Sequence, residues 1–353
     1  MPISVDQKKW GAEYVQSVAP SNPTHGLSWY DTSSNKLKVY NANNSTWTPI
    51  PAVVGYGYIA GGLSASYTNI ERITFPFDSG TASVVGNFSN QMRMSGGCNS
   101  SQYGYNMGTY NGAYYSYIAR FAFPFDSGNA TNVGSLSTIT GYNSACNCST
   151  YGYSMGGNNG SCLSIVQRIT FPFDSGTASN VGNLNASTQE TSQANSSQHG
   201  YCMGGGSGSS DIRDYIFRLT FPFDSGPSSD VGDLSGTKRE ACGYNSSTHG
   251  YFVGGIELGS TRKSTIDRIL FPFDSGTATN VGNLSATVYG LMAGLNASNY
   301  GYRCGGLVSS VYSTIDRILF PFNSGTASVV GNLSSSIYGT TGIDNTDFNS
   351  MFV

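Results

Sequence analysis

Apolar and polar residues alternate in short runs along most of the chain, and no segment carries a convincing helical period. Around Ile269, the residues Ile269, Phe271 and Phe273 are expected on one face of a strand and Arg268, Leu270 and Pro272 on the other. The same short pattern returns down the chain. FPFDSG occurs five times and FPFNSG once, placing Asp78, Asp126, Asp174, Asp224, Asp274 and Asn323 at intervals of 48, 48, 50, 50 and 49 residues. Six residues before each stands an arginine: Arg72, Arg120, Arg168, Arg218, Arg268 and Arg317. A VGNL-like segment follows, as at Val281–Leu284, and then a GY step at Tyr58, Tyr105, Tyr153, Tyr201, Tyr251 and Tyr302. A glycine pair usually comes next, as at Gly305 and Gly306, although the second copy reads Gly108 and Thr109.

A repeat of this length is the mark of an array or a ring. Each copy predicts four short strands: the GY strand, the strand carrying the arginine and FPF, the VGNL strand, and one before the next GY. The Asp-Ser-Gly segment between the second and third is a turn, with Asp bonding its own backbone and Gly supplying positive φ. Proline inside the second strand lacks an N–H for the ladder, which predicts an outer or irregular position.

Four strands per repeat with a Gly pair closing one of them resembles the Kelch motif, over roughly residues 52–345. The segment IDRILFPFDSGTATNVGNL…YGYRCGG follows the Kelch order but has Val281 and its equivalents where Kelch repeats carry tryptophan. The resemblance implies an all-β chain, a six-bladed β-propeller of four-stranded Kelch-like blades over 51–353. The first copy begins directly at its GY strand, and the tail SSSIYGTTGIDNTDF aligns with SATVYGLMAGLNASN one repeat earlier. The C-terminal strand is therefore expected to complete the first blade and close the ring, leaving no free sheet edge.

Length varies in one place. The distance from the GY tyrosine to the next arginine is 14, 15, 15, 17, 17 and 15 residues, so insertions fall just after the Gly pair. In a ring those loops share one face, and varied loops on one face often mark binding. Their contents include Tyr110, Tyr114 and Tyr115 in the second copy, Asp211 and Asp214 in the fourth, and Arg262 in the fifth, which we take as candidate ligand-face residues. Tyrosine suits recognition because it offers rigid amphipathic area at low entropy cost. The repeated Arg and Asp, present in every copy, read as braces within each blade.

Composition narrows the functional classes. Charged residues are 10% of the 353, against about 25% in ordinary globular chains. Net charge is −3 with no basic run, which argues against a nucleic-acid partner. No apolar stretch approaches the about 18 residues of a membrane span, and the start MPISVDQKKWGAEY has no signal-peptide core. Synthesis in a cytoplasm and no membrane insertion are expected. The seven cysteines follow no framework, and Cys146 and Cys148 form CxC rather than a zinc or redox CxxC. They read as buried thiols. His25, His199 and His249 are the only histidines, and no hydrolase, metalloprotease or phosphate-loop motif appears. No catalytic residues, cofactor or metal are expected; loop aspartates such as Asp211 offer at most a weak calcium signal.

Residues 1–50 differ from the rest. They hold all three tryptophans, Trp10, Trp29 and Trp47, and the run GLSWYDTSSNKLKVYNANNSTWTPI predicts a three-stranded β-meander. Gly26, Trp29, Asp31, Thr32, Leu37, Val39, Tyr40, Asn41 and Trp47 match a pattern, G-x-x-W-x-D-T … L-x-V-Y-N … W, that resembles short modules of tailed-phage virion proteins. That resemblance implies a virion structural protein, assembled in the host cytoplasm. It implies contact with other virion proteins through this segment, with Trp10, Trp29, Tyr40 and Trp47 as candidate anchors. A tail fibre or adhesin binding a host-surface glycan and a capsid or tail decoration protein are both consistent with it. An intracellular Kelch-type interaction scaffold is the alternative.

Overall fold

A computed structural model describes residues 14–25, 27–31, 33, 36–43, 45–49, 55–63, 68–208 and 210–345. The chain divides into two compact units, 1–54 and 55–353. Every regular element among the described residues is a β-strand, and no helix is long and apolar enough to cross a membrane.

In the first unit, Ser28–Asp31, Lys36–Asn41 and Thr46–Pro49 form the expected antiparallel meander. A fourth strand, Tyr14–Gln16, pairs parallel with Ser28–Asp31. Three residues are too few to announce a strand by alternation. Trp29 is buried, meets Trp47 edge to face at 5.2 Å, and donates its indole N–H to Gln16 O at 2.9 Å. Tyr40 packs on Trp47 at 5.3 Å, and Lys38 lies over Trp29 while pairing with Asp31 at 2.7 Å. Three of the four anchor candidates thus pack on one another within their own unit, with Trp29 buried and Tyr40 and Trp47 half-buried. Trp10 lies outside the described residues.

In the second unit each repeat becomes a four-stranded antiparallel module. In the sixth, Ala293–Asn296 pairs with Tyr300–Cys304, that with Thr314–Leu319, and that with Ser328–Asn332. In the first, Thr341–Asp344 supplies the strand beside Tyr56–Ala60, from the other end of the chain. The strands Thr341–Asp344, Gly96–Asn99, Ser144–Asn147, Ser192–Asn195, Cys242–Asn245 and Ala293–Asn296 each pack on the next in that order, and the last packs on the first. We refer to them as the inner strands.

The arginine strand stops earlier than its pattern predicts. It ends at Leu270 in the fifth module, with a bulge between Ile266 and Asp267, so Phe271, Pro272 and Phe273 lie beyond it. Proline lacks the N–H that would continue the ladder. FPFDSG serves instead as a joint between modules. Its second phenylalanine donates its backbone N–H to the GY tyrosine hydroxyl of the preceding module at 2.9–3.1 Å in all six copies, from Phe125 to Tyr58 round to Phe77 to Tyr302. The preceding module's arginine donates to that phenylalanine's carbonyl at 3.1–3.4 Å and also to the aspartate: Arg72 to Asp126, and finally Arg317 to Asp78. Arg268 meets Asn323 in the same way. The arginines therefore tie each module to the next rather than bracing their own, which corrects the expectation from spacing.

The VGN segment completes the joint. Asn332 donates its backbone N–H to Gly80 O at 3.0 Å, and a Cβ on Gly331 would sit 2.4 Å from that oxygen. Only glycine admits so close an approach. The apolar core lies between modules: one cluster joins Ile59, Ile73 and Phe77 of the first to Leu295, Tyr302, Ile315 and Val330 of the sixth.

Candidate functional site

The turn before each inner strand holds one residue at positive φ: Met94, Tyr142, Glu190, Glu240, Leu291 and Gly339, with φ between 48° and 66°. Their backbones form a circlet. Tyr142 donates to Met94 O at 2.5 Å, Glu190 to Tyr142 O at 2.9 Å, Glu240 to Glu190 O at 3.0 Å and Leu291 to Glu240 O at 3.3 Å. Thr340 donates to Leu291 O at 2.9 Å, and Met94 to Gly339 O at 2.9 Å. Left-handed backbone costs a non-glycine residue about 1–2 kcal/mol, yet five of these six positions carry side chains.

Bridges hold these turns to the loops after the Gly pairs, Gln189 to Gly206 and Arg239 to Ile256, so the circlet and those loops share one end of the fold. Below it lies a cavity of about 30 Å³, lined by Ser95, Thr191, Gln193 and Thr341 among others, which is room for about one water. A second of about 30 Å³ lies by the far ends of the inner strands. There Asn195 N–H donates to Asn245 Oδ1 at 3.1 Å, Asn245 N–H to Asn296 Oδ1 at 2.6 Å, and Asn296 N–H to Asp344 Oδ2 at 3.0 Å. The inner strands themselves fill the middle. Cβ atoms on Gly243, Gly294 and Gly342 would stand 2.0–2.1 Å from a neighbouring strand's carbonyl oxygen.

One side of the circlet mouth gathers aromatic and charged side chains. Tyr142 packs against Tyr110 at 5.3 Å, and Tyr110 against Tyr114 at 4.8 Å. Tyr110 and Tyr114 face each other across the hairpin that the second module's loop forms, as extensions of Tyr103–Tyr110 and Tyr114–Ala122. Arg93 lies 5.6 Å over the Tyr110 ring and donates Nε–H to Tyr110 O at 2.6 Å. Beside Tyr142, Arg239 pairs with Glu190 at 2.5 Å and lies 3.7 Å from Glu240. Burial raises the Glu190 carboxyl against the pull of Arg239. Burial, then the Glu190 charge, pushes Glu240 up to about 7. Burial, with Tyr110 and Glu190 nearby, pushes the Tyr142 phenol up to about 12.

The other loop candidates stay apart from this cluster. Tyr115 stacks on Tyr117 at 5.1 Å. Asp211 is engaged by Arg213 at 2.5 Å and by Ser207, bonds that hold its carboxyl below the usual range. Asp214 accepts the Leu234 N–H at its backbone oxygen, and Arg262 lies 5.4 Å over Tyr289. Among the described residues no three His, Cys, Asp or Glu side chains gather as a metal would need, and all seven cysteines are free thiols. Sequence reasoning missed Tyr142, Glu190, Arg239 and Glu240. The turn position holds Met, Tyr, Glu, Glu, Leu and Gly in the six copies, and its immediate neighbours vary as freely, so the sequence carried no signal that set these residues apart.

An all-β chain of repeated four-stranded modules is a β-propeller, and comparison with solved structures agrees. YjhT, a Kelch-type propeller fold, superposes with a TM-score of 0.62 at 12% identity, covering 78% of this chain and 98% of that one. No family model and no curated protein matches the sequence.

Proposed function

We propose that the protein is a non-enzymatic structural component of a tailed-phage particle, a six-bladed propeller closed by Thr341–Asp344 that offers its loop end to a host-surface glycan. The observation that carries the binding role is the mouth cluster: three tyrosine rings in contact beside two carboxylates and two guanidinium groups. Aromatic faces with adjacent fixed donors and acceptors suit a ligand that is apolar on one face and hydroxylated at its edges. Weak sites of this kind gain from multivalent display on a particle. The virion assignment rests on the N-terminal pattern from Trp29 to Trp47. His199 and His249 stand in different modules, each beside its own arginine, rather than converging on one reacting centre.

Immunogold labelling of purified particles with an antibody against 55–353 tests the assignment. Label at the tail tip is expected of a receptor-binding protein and label over the head of a decoration protein. Unlabelled particles would leave the intracellular scaffold as the better reading.

A further inference from the structure

Resting on the glycan reading, we infer that the circlet mouth is a subsite for one uncharged pyranose residue, seated on Tyr142 and held through neighbouring hydroxyls by Glu240 and Arg239. Six equivalent turns converge on this mouth, but their side chains are not equivalent. Three consecutive positions carry Tyr142, Glu190 and Glu240, and the other three carry Leu291, Gly339 and Met94. A symmetric scaffold has been made one-sided where backbone conformation disfavours any side chain at all. Stability does not require these residues there, since glycine at Gly339 makes the same turn with less strain.

The chemistry of the polar side selects the ligand. The cluster sets two carboxyl groups, Glu190 and Glu240, beside two guanidinium groups, Arg239 and Arg93. Side-chain exposure falls from 22% at Glu240 to 16% at Arg239 and 10% at Glu190, so Glu240 and Arg239 reach solvent while Glu190 positions the arginine from behind. A carboxylate ligand would meet both glutamates, and an ammonium ligand would meet both arginines. A hydroxyl both donates and accepts, so two adjacent hydroxyls satisfy Glu240 and Arg239 together. The Tyr142 ring, braced on Tyr110, offers the flat apolar surface that the C–H face of a sugar ring needs.

The test is binding of the full-length protein to immobilised polysaccharides of three kinds: neutral (dextran and galactan), acidic (polygalacturonate) and cationic (chitosan). The variants are Tyr142→Ala, Glu240→Gln and Arg239→Ala, with Leu270→Ala, at an exposed position of the arginine strand, as control and circular dichroism melting to verify each fold. Retention of a neutral polysaccharide is expected, weakened by about tenfold or more in Tyr142→Ala and Glu240→Gln, a loss of about 1.4 kcal/mol, and unchanged in Leu270→Ala. Glu240→Gln is nearly isosteric and keeps the test decisive if another variant fails to fold. Binding confined to the acidic or cationic polymers, or neutral binding indifferent to these substitutions, overturns the subsite and leaves glycan recognition standing. No retention of any polysaccharide overturns both.

Discussion

Burial and the nearby Glu190 charge push the Glu240 carboxyl from 4.5 up to about 7, with Arg239 pulling the other way. A carboxyl raised on folding contributes stability that is present below its unfolded value and lost as pH climbs through the folded one. The window is therefore about 4.5 to 7. The urea midpoint of the wild type should fall between pH 5 and pH 8, and Glu240→Gln should fall less. Equal falls would mean that Glu240 titrates normally. A different residue carries the joints. Tyr302 accepts the buried Phe77 N–H at 2.9 Å, so Tyr302→Phe orphans a donor and should cost about 1–3 kcal/mol in denaturant unfolding. A cost near zero would show that the hydroxyl is not needed. The recurrence of this tyrosine was plain in the sequence. Its partner, 225 residues away in the chain, was not, because the bond crosses a module boundary that spacing alone does not reveal.

At the scale of elements, the FPFDSG turn and the strand that receives it act as socket and plug. The aspartates are mostly solvent-exposed, 62–68% at the side chain, so each ion pair is worth about 0–1 kcal/mol. Asn323 already replaces the charge at one joint. Asp78→Asn should accordingly change stability by less than about 1 kcal/mol. Arg317→Ala should cost more, because the guanidinium also holds Phe77 O at 3.3 Å and lies 4.5 Å over Tyr300. The reverse ranking in equilibrium unfolding would mean that charge, not packing and backbone bonding, holds the joint. The variable loops were located correctly by their lengths, and they proved to be small hairpins, such as Gly206–Gly208 with Asp211–Ile212. Within them Asp211 pairs with Arg213, and Arg262 lies over Tyr289. The mouth cluster joins Tyr110 and Tyr114 of one such loop to Tyr142, Glu190 and Glu240 of different turns, which only three-dimensional convergence brings together.

At the scale of the whole molecule, the first and last modules meet through Thr341–Asp344 on Tyr56–Ala60, the Arg317–Asp78 pair and a core shared by Ile59, Phe77 and Tyr302. Removing residues 335–353 deletes that strand and exposes Tyr56–Ala60 as an edge. Such a truncation should unfold or aggregate well below the melting temperature of the intact protein. Melting at an unchanged temperature would count against a ring closed from the C-terminus. The repeat made the propeller class legible from sequence alone, because six copies of one motif leave few architectures open.

The glycines of the inner strands bear on how such a chain changes over generations. With a carbonyl only 2.0–2.1 Å from where a Cβ would stand on Gly243, Gly294 and Gly342, these inner strands have no slack between them. Tandem arrays ordinarily grow and shrink by gaining or losing whole copies. In the proposed closed ring, one more copy would part these strands and one fewer would crowd them. Such a ring would hold its number of copies at its tightest point and leave novelty to enter by substitution at the rim.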